Sequence, residues 1–121
     1  MDALPFYLPV GLVGHKGLVR LEKPFLAFEL LEWSWRSFGK KIREVRIPLD
    51  EIVDAKFKPG ILDAHLDLRI RSINAMTDIP YKTPGVIELR FSREHRDAAR
   101  QLSNSLSLVL SERQLDNLGR E

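Results

Sequence analysis

The chain has 121 residues, of which 44% are hydrophobic and 30% charged, a composition typical of one globular domain rather than of a disordered or fibrous chain. It contains no cysteine, which excludes disulfides, thiolate metal sites and cysteine nucleophiles. The 19 Lys and Arg residues exceed the 17 Asp and Glu residues by only two, so bulk charge does not indicate a nucleic-acid binder.

The first 16 residues are mostly apolar but are interrupted by prolines and glycines. No Lys or Arg precedes Lys16, so the charged region of a signal peptide is missing, and no apolar run is long enough to span a membrane. We therefore predict a cytoplasmic protein with an N-terminal arm over residues 1–16, a domain over residues 17–114 and a frayed tail over residues 115–121.

Short alternating runs separated by Pro, Gly and Ser predict antiparallel strands through most of the domain. The predicted strands cover residues 18–23, 25–33, 41–47, 52–58, 61–71, 76–79 and 86–91. In the clearest run Leu62 shares one face with Ala64, and acidic or basic residues occupy the other face. After Ser92 the apolar spacing becomes helical and predicts one amphipathic helix over about residues 93–114.

Several segments resemble small bacterial pleckstrin-homology-like (PH-like) domains and the related GRAM domains. The resemblance covers about residues 17–112, and the segments that carry it occur in the order that the family shows: Leu26-x-Phe28, Arg46-Ile-Pro-Leu-Asp-Glu-Ile52, Leu66-x-Leu68-x-Ile70 and Glu88-Leu-Arg-Phe91. The resemblance implies a mainly β fold with one helix, a barrel of two near-orthogonal antiparallel sheets with about seven strands, capped by the C-terminal helix. Members bind lipid headgroups, dock peptides or proteins, or form oligomers, so the resemblance does not fix a function.

Phosphoinositide-binding members of this family use basic residues on the first two strands and on the loop between them. If residues 18–23 and 25–33 are those strands, the connection at Pro24 is too short to surround a headgroup. The second of these strands carries Glu29 and Glu32 instead of cations. Specific phosphoinositide binding is therefore not expected.

The most basic stretch lies between Glu32 and Arg46, where five Lys and Arg residues face two Glu residues, a local excess of +3. Two tryptophans at alternating positions begin this stretch and share one face of a strand. They close the sheet, pack on the N-terminal arm, or belong to a partly exposed aromatic and basic hairpin. The predicted interaction surface is Trp33, Trp35, Arg36, Phe38, Lys40, Lys41 and Arg43.

Other chemistry-bearing residues have simpler explanations. Asp63, His65 and Asp67 share one face of a predicted strand, where outward polar residues usually serve solubility, so we predict no metal site. Ser92 and His95 lack an orienting acid and an oxyanion hole, so we predict no catalytic residues. No residue is predicted to bind a cofactor.

These observations predict a non-enzymatic PH-like binding or assembly module. Its expected partner is protein, a second copy of the chain included, bound through an exposed strand edge, the hairpin or both. One alternative stays open: peripheral binding to an anionic membrane surface through the same hairpin. A small-molecule-binding or enzymatic barrel is the third reading. No nucleic-acid partner and no cofactor are expected.

Overall fold

The computed structural model describes residues 3–11, 14–34 and 39–119, and for residues 32–34, 40 and 117 it describes the backbone alone. Within these ranges no helix is long and apolar enough to cross a membrane. The described residues form seven strands and one long helix: β1 (Leu4–Leu8), β2 (His15–Glu22), β3 (Phe25–Ser34), β4 (Gly39–Pro48), β5 (Ile52–Pro59), β6 (Asp63–Ile70), β7 (Val86–Ser92) and α1 (Arg96–Gly119).

The seven strands form one antiparallel sheet in the order β4-β3-β2-β1-β7-β6-β5. β4 and β5 lie at opposite edges of this sheet, yet only the short 3-10 helix Leu49–Glu51 separates them in the chain. A flat sheet would hold the two edges roughly 29 Å apart, whereas three intervening residues span at most roughly 14 Å. The sheet must therefore curl until its edges approach at this corner, although no ladder joins β4 to β5 in the described ranges.

Strand pairing is least extensive between β1 and β7, where Tyr7 and Arg90 form the one register pair found in the described residues. On its other side β1 pairs with β2 along its whole length, from Leu4 to Leu8. This narrow connection separates a first half, β1 to β4, from a second half, β5 to β7.

One hydrophobic core fills the inside of the curl. The predicted inward faces are confirmed in both halves, since Phe28 and Ile47 in the first and Leu66 and Leu89 in the second are buried. Each such side chain stabilises the fold by about 1.5–3 kcal/mol. α1 packs across β5, β6, β2 and β7, and its buried stripe completes the core: Ala99, Leu102, Leu106, Val109 and Leu110.

The N-terminal segment lies in the middle of the sheet, so the predicted arm is wrong for Leu4–Leu8, which forms β1. Its residues alternate between buried and exposed, as in a strand with one face on the core. The ring of Phe6 meets Phe28 edge to face at 5.9 Å between centroids. Pro5, which argued against a strand, lies where β1 has no β7 partner among the described residues, a place where a sheet tolerates proline.

Three other predicted boundaries are wrong. β6 begins at Asp63 because the chain turns just before it, with the Gly60 N–H donating to the Asp63 carbonyl at 2.7 Å, so Leu62 is exposed rather than buried. Residues 76–79 form no strand; Met76 ends a 3-10 helix and packs into the core. α1 continues to Gly119, so much of the predicted tail is helical.

Candidate functional site

The outer face of β2, β3 and β4 carries apolar side chains that the core does not use. Leu31 is the register partner of Ile42, and Glu29 is the register partner of both Leu18 and Glu44. Ile42 is 66% exposed, while Leu18 and Leu31 are half-buried. A shallow hollow of about 260 Å³ lies over these side chains. We call this surface the outer patch, and it consists of Leu18, Glu29, Leu31, Ile42 and Glu44.

Two carboxylates lie in the outer patch, and the exposed Lys16 lines the hollow beside them. Glu29 and Glu44 lie directly opposite each other on neighbouring strands, an arrangement that destabilises a sheet. Glu44 accepts a hydrogen bond from Arg46 Nε at 2.9 Å, whereas the carboxylate of Glu29 makes no hydrogen bond or ion pair in the described ranges. The hydrogen bond to Glu22 and its charge raise the pKa of Arg20, with smaller contributions from Glu29 and Glu44.

The outer patch extends to a free strand edge. β4 is ten residues long and, among the described residues, its backbone pairs with β3 alone. The far side of such a strand presents unpaired N–H and C=O groups that another chain can use. Because Ile42 belongs to both the edge and the patch, a bound segment can contact apolar side chains and backbone groups together.

Two residues of the predicted interaction surface have described side chains. Lys41 is exposed, and Arg43 is half-buried with its Nη2 donating to the carbonyl of Asp78 at 2.6 Å. Arg46, which contributed to the local excess of +3, lies 2.9 Å from Glu44 and 3.6 Å from Glu22. Part of the basic charge predicted for this hairpin is therefore already engaged within the chain.

The side chains of the other five residues of that surface lie outside the described part of the chain. The backbones of Trp33 and Lys40 are register partners near the end of the β3–β4 hairpin, which confirms the hairpin itself. Their side chains lie outside the described residues, as do Trp35, Arg36 and Phe38 altogether. A role for these five at an interface stays a prediction.

The outer face of β5, β6 and β7, which we call the paired face, is covered by charges that bind one another. His65 Nε2 lies 3.3 Å from Asp63 Oδ2, and no group of three metal-ligating side chains is found in the described ranges. Ion pairs also link the outward charges of β6 to β5: Lys58–Asp67 at 2.9 Å and Arg69–Asp54 at 3.1 Å.

The segment between the first two strands, β1 and β2, is residues 9–14, and not the turn at Pro24 on which the prediction about phosphoinositides rested. Residues 9–14 contain no Lys or Arg. Binding of several phosphates needs converging cations. Of the two cations on β2, Lys16 and Arg20, Arg20 already binds Glu22 at 2.9 Å. Specific phosphoinositide binding therefore stays unexpected, on the different ground that residues 9–14 add no cation to Lys16.

The outer patch was missed by sequence reasoning, although one signal was present. Ile42 occupies the same outward phase of its strand as Glu44 and Arg46, opposite the buried Val45 and Ile47. An apolar residue in that phase is a visible exception to the alternation. The register that places Leu31 beside Ile42 is set by how two strands meet, and this cannot be deduced from either strand alone.

Comparisons with known proteins add no family to this description. No protein-family model, curated protein or solved structure matches the chain. The function is therefore argued from the chain's own residues.

Proposed function

We propose that this chain is a non-enzymatic docking module with a PH-like fold that acts in the cytoplasm and binds protein segments through the outer patch. The observation that carries the proposal is Glu29, a carboxylate that has no ion-pair partner in the described ranges and lies opposite Glu44 and in the same hollow as the exposed Ile42. An aliphatic side chain would cover Ile42 and Leu31, and an adjacent Lys or Arg would neutralise Glu29. The expected ligand is therefore a segment that combines an aliphatic residue with a basic one.

The PH-like arrangement of two near-orthogonal sheets belongs to this proposal. Two such sheets would meet at two places. One is the pair Tyr7 and Arg90, which is the one β1–β7 register pair among the described residues, and the other is the short connection Leu49–Glu51. The position of α1 across strands of both halves agrees with a helix that covers one opening of a curled sheet.

The free edge of β4 supports a protein ligand in particular. An extended segment can add itself to an edge strand, with backbone hydrogen bonds giving affinity and neighbouring side-chain sites giving specificity. Alternate residues of that segment would point toward the outer patch. Side-chain selectivity would then come from Ile42 and Glu29.

The two rival functions have less support. An anionic membrane would bring like charge against Glu29 and Glu44, which opposes binding through this face. A small-molecule barrel needs internal space, and the inside of the curl is occupied by large side chains, among them Phe28, Phe91 and Met76.

A phage-displayed library of random peptides, panned on the immobilised protein, tests the proposal. We expect enrichment of sequences that place an aliphatic residue next to Lys or Arg. The variant Ile42→Lys, which adds a cation to the outer patch, should weaken binding of those peptides by about tenfold or more, the loss expected for a central contact.

The matched control is Leu108→Lys on α1, because Leu108 is 62% exposed and lies outside the patch. This variant should bind the enriched peptides as the unchanged protein does. The proposal fails if the peptides bind Ile42→Lys and the unchanged protein equally well, or if no basic and aliphatic sequences are enriched.

A further inference from the structure

A second apolar surface lies at the turn between β5 and β6. Ile61 is 88% exposed and Leu62 is 81% exposed, the highest values among the large apolar side chains of the described residues. They follow each other at the tip of a hairpin whose strands pair from Pro59 with Ala64 onward. The turn therefore presents two adjacent aliphatic side chains to the surroundings.

This turn is held in one shape by contacts with the rest of the fold. The Gly60 N–H donates to the Asp63 carbonyl at 2.7 Å, and a Cβ at Gly60 would lie 2.6 Å from that oxygen, so the position favours glycine. Arg96 Nη2, at the start of α1, donates to the carbonyls of Gly60 and Ile61 at 2.5 and 3.0 Å. A turn that is ordered before binding loses less conformational entropy when it docks.

Unpaired cations lie next to the turn. Arg93 directly follows Ser92, the register partner of Asp63, and is exposed. Neither Arg93 nor Arg96 makes an ion pair with a carboxylate in the described ranges. The turn thus combines two aliphatic side chains with adjacent basic groups, which is the chemistry expected of a ligand for the outer patch.

We infer that one partner of the outer patch is the β5–β6 turn of a second copy of this chain, an inference that rests on the proposed function. Ile61 and Leu62 of one copy cover Ile42 and Leu31 of the next, and Arg93 lies toward Glu29. The turn belongs to the second half of the sheet and the patch to the first half. The inferred contact is head to tail, and it builds a ring if the rotation closes and an open chain if it does not.

The charges around both surfaces favour a second copy over a lipid surface. Asp63 and Glu94 lie beside the turn and reduce its attraction to anionic lipid. A cation for these acids lies beside the outer patch, because Lys16, the register partner of Leu31, lines the same hollow. Each surface therefore has both signs of charge near an apolar centre, and Arg93 and Glu29 are the two charges that the inferred contact brings together.

Sedimentation velocity on the full chain, over a micromolar to millimolar concentration series, tests the head-to-tail contact. The unchanged protein should form species that grow beyond a dimer. Ile42→Lys and the double variant I61D/L62D should each stay monomeric, since one lacks the patch and the other lacks the turn. An equimolar mixture of the two should form a dimer, because each supplies the surface that the other has lost.

Leu108→Lys is the control and should associate as the unchanged protein does. Glu29→Arg is a second patch variant, to be used in the mixture if circular dichroism shows that Ile42→Lys is not folded. A mixture that stays monomeric contradicts the inference, and so does a monomeric unchanged protein. Binding of the unchanged protein, but not of I61D/L62D, to phosphatidylglycerol and phosphatidylcholine vesicles in place of self-association would overturn it in favour of a lipid surface.

The two experiments distinguish a failure of this inference from a failure of the proposed function. If the unchanged protein is monomeric but still selects basic and aliphatic peptides through Ile42, the docking surface stands and the second copy is excluded as its partner. If neither association nor peptide selection depends on Ile42, both conclusions fall.

Discussion

The outer patch and the paired face both lie on the outer surface of the sheet, and they differ in how many of their charged side chains form ion pairs. Each has two carboxylates directly opposite each other, Glu29 with Glu44 on one and Asp67 with Glu88 on the other. On the paired face Lys58 lies 2.9 Å from Asp67, and a second cation, Arg90, lies 3.5 Å from Glu88.

On the outer patch Arg46 binds Glu44, but Glu29 has no such partner in the described ranges. The hollow over the paired face, about 490 Å³, is larger than the hollow of about 260 Å³ over the outer patch. Size alone would therefore favour the paired face. Three of the four charged side chains that line the larger hollow, Asp54, Asp67 and Arg69, form ion pairs, whereas the carboxylate of Glu29 forms none in the described ranges.

The largest expected difference between the two faces is in stability. Glu29→Gln removes a repulsion across β3 and β4 and should raise the free energy of unfolding by about 0.2–1 kcal/mol. Glu88→Gln is the matched change on the paired face. It removes the partner of Arg90 and His65 and should lower the free energy of unfolding by up to about 1 kcal/mol. Urea unfolding followed by circular dichroism measures both. If both variants changed the free energy of unfolding in the same direction, the proposed difference between the outer patch and the paired face would be contradicted.

A smaller effect is expected from pH, and it belongs to the paired face alone. The hydrogen bond to Asp67 and its charge raise the pKa of Lys58. Because the pKa is higher in the folded state, this pair stabilises the fold below the ordinary lysine pKa of about 10.4 and loses that contribution as the pH rises through the folded value. The effect is small because Lys58 is exposed.

The variant Asp67→Asn isolates this effect. The urea midpoint of the unchanged protein should fall relative to that of the variant as the pH increases through the alkaline range, since only the unchanged protein has an ion pair to lose. A constant difference between the two midpoints from neutral to alkaline pH would show that the pair adds nothing to stability.

The sequence predicted the inner faces well because burial enforces alternation. Phe28 and Ile47, and the stripe of α1 that contains Leu102 and Leu106, are buried as their periodicity indicated. β1 was missed because the prolines and glycines around Leu4–Leu8 are turn signals, and the neighbouring strands override them. The prediction gave these prolines and glycines more weight than the alternating pattern of Leu4–Leu8.

The outer surfaces were harder to predict because they depend on contacts between distant segments. The turn before Asp63 redirected Leu62 from the expected core to an exposed tip, and no periodicity signals such a turn. The isolation of Glu29 follows from which strand lies beside it and from the pairing of Arg46 with Glu44. Both are tertiary properties, so the residues that now define the candidate site came from the structure.

The most direct test of the docking surface is an NMR titration of the labelled protein with an amidated Arg-Ile-Leu-Arg peptide. The account predicts that amide shift changes concentrate on β2, β3 and β4 around Leu18, Leu31 and Ile42, and that Glu29→Gln reduces them. Shift changes centred on the paired face, or changes that Glu29→Gln leaves intact, would contradict the claim that the outer patch is where this chain binds its partner.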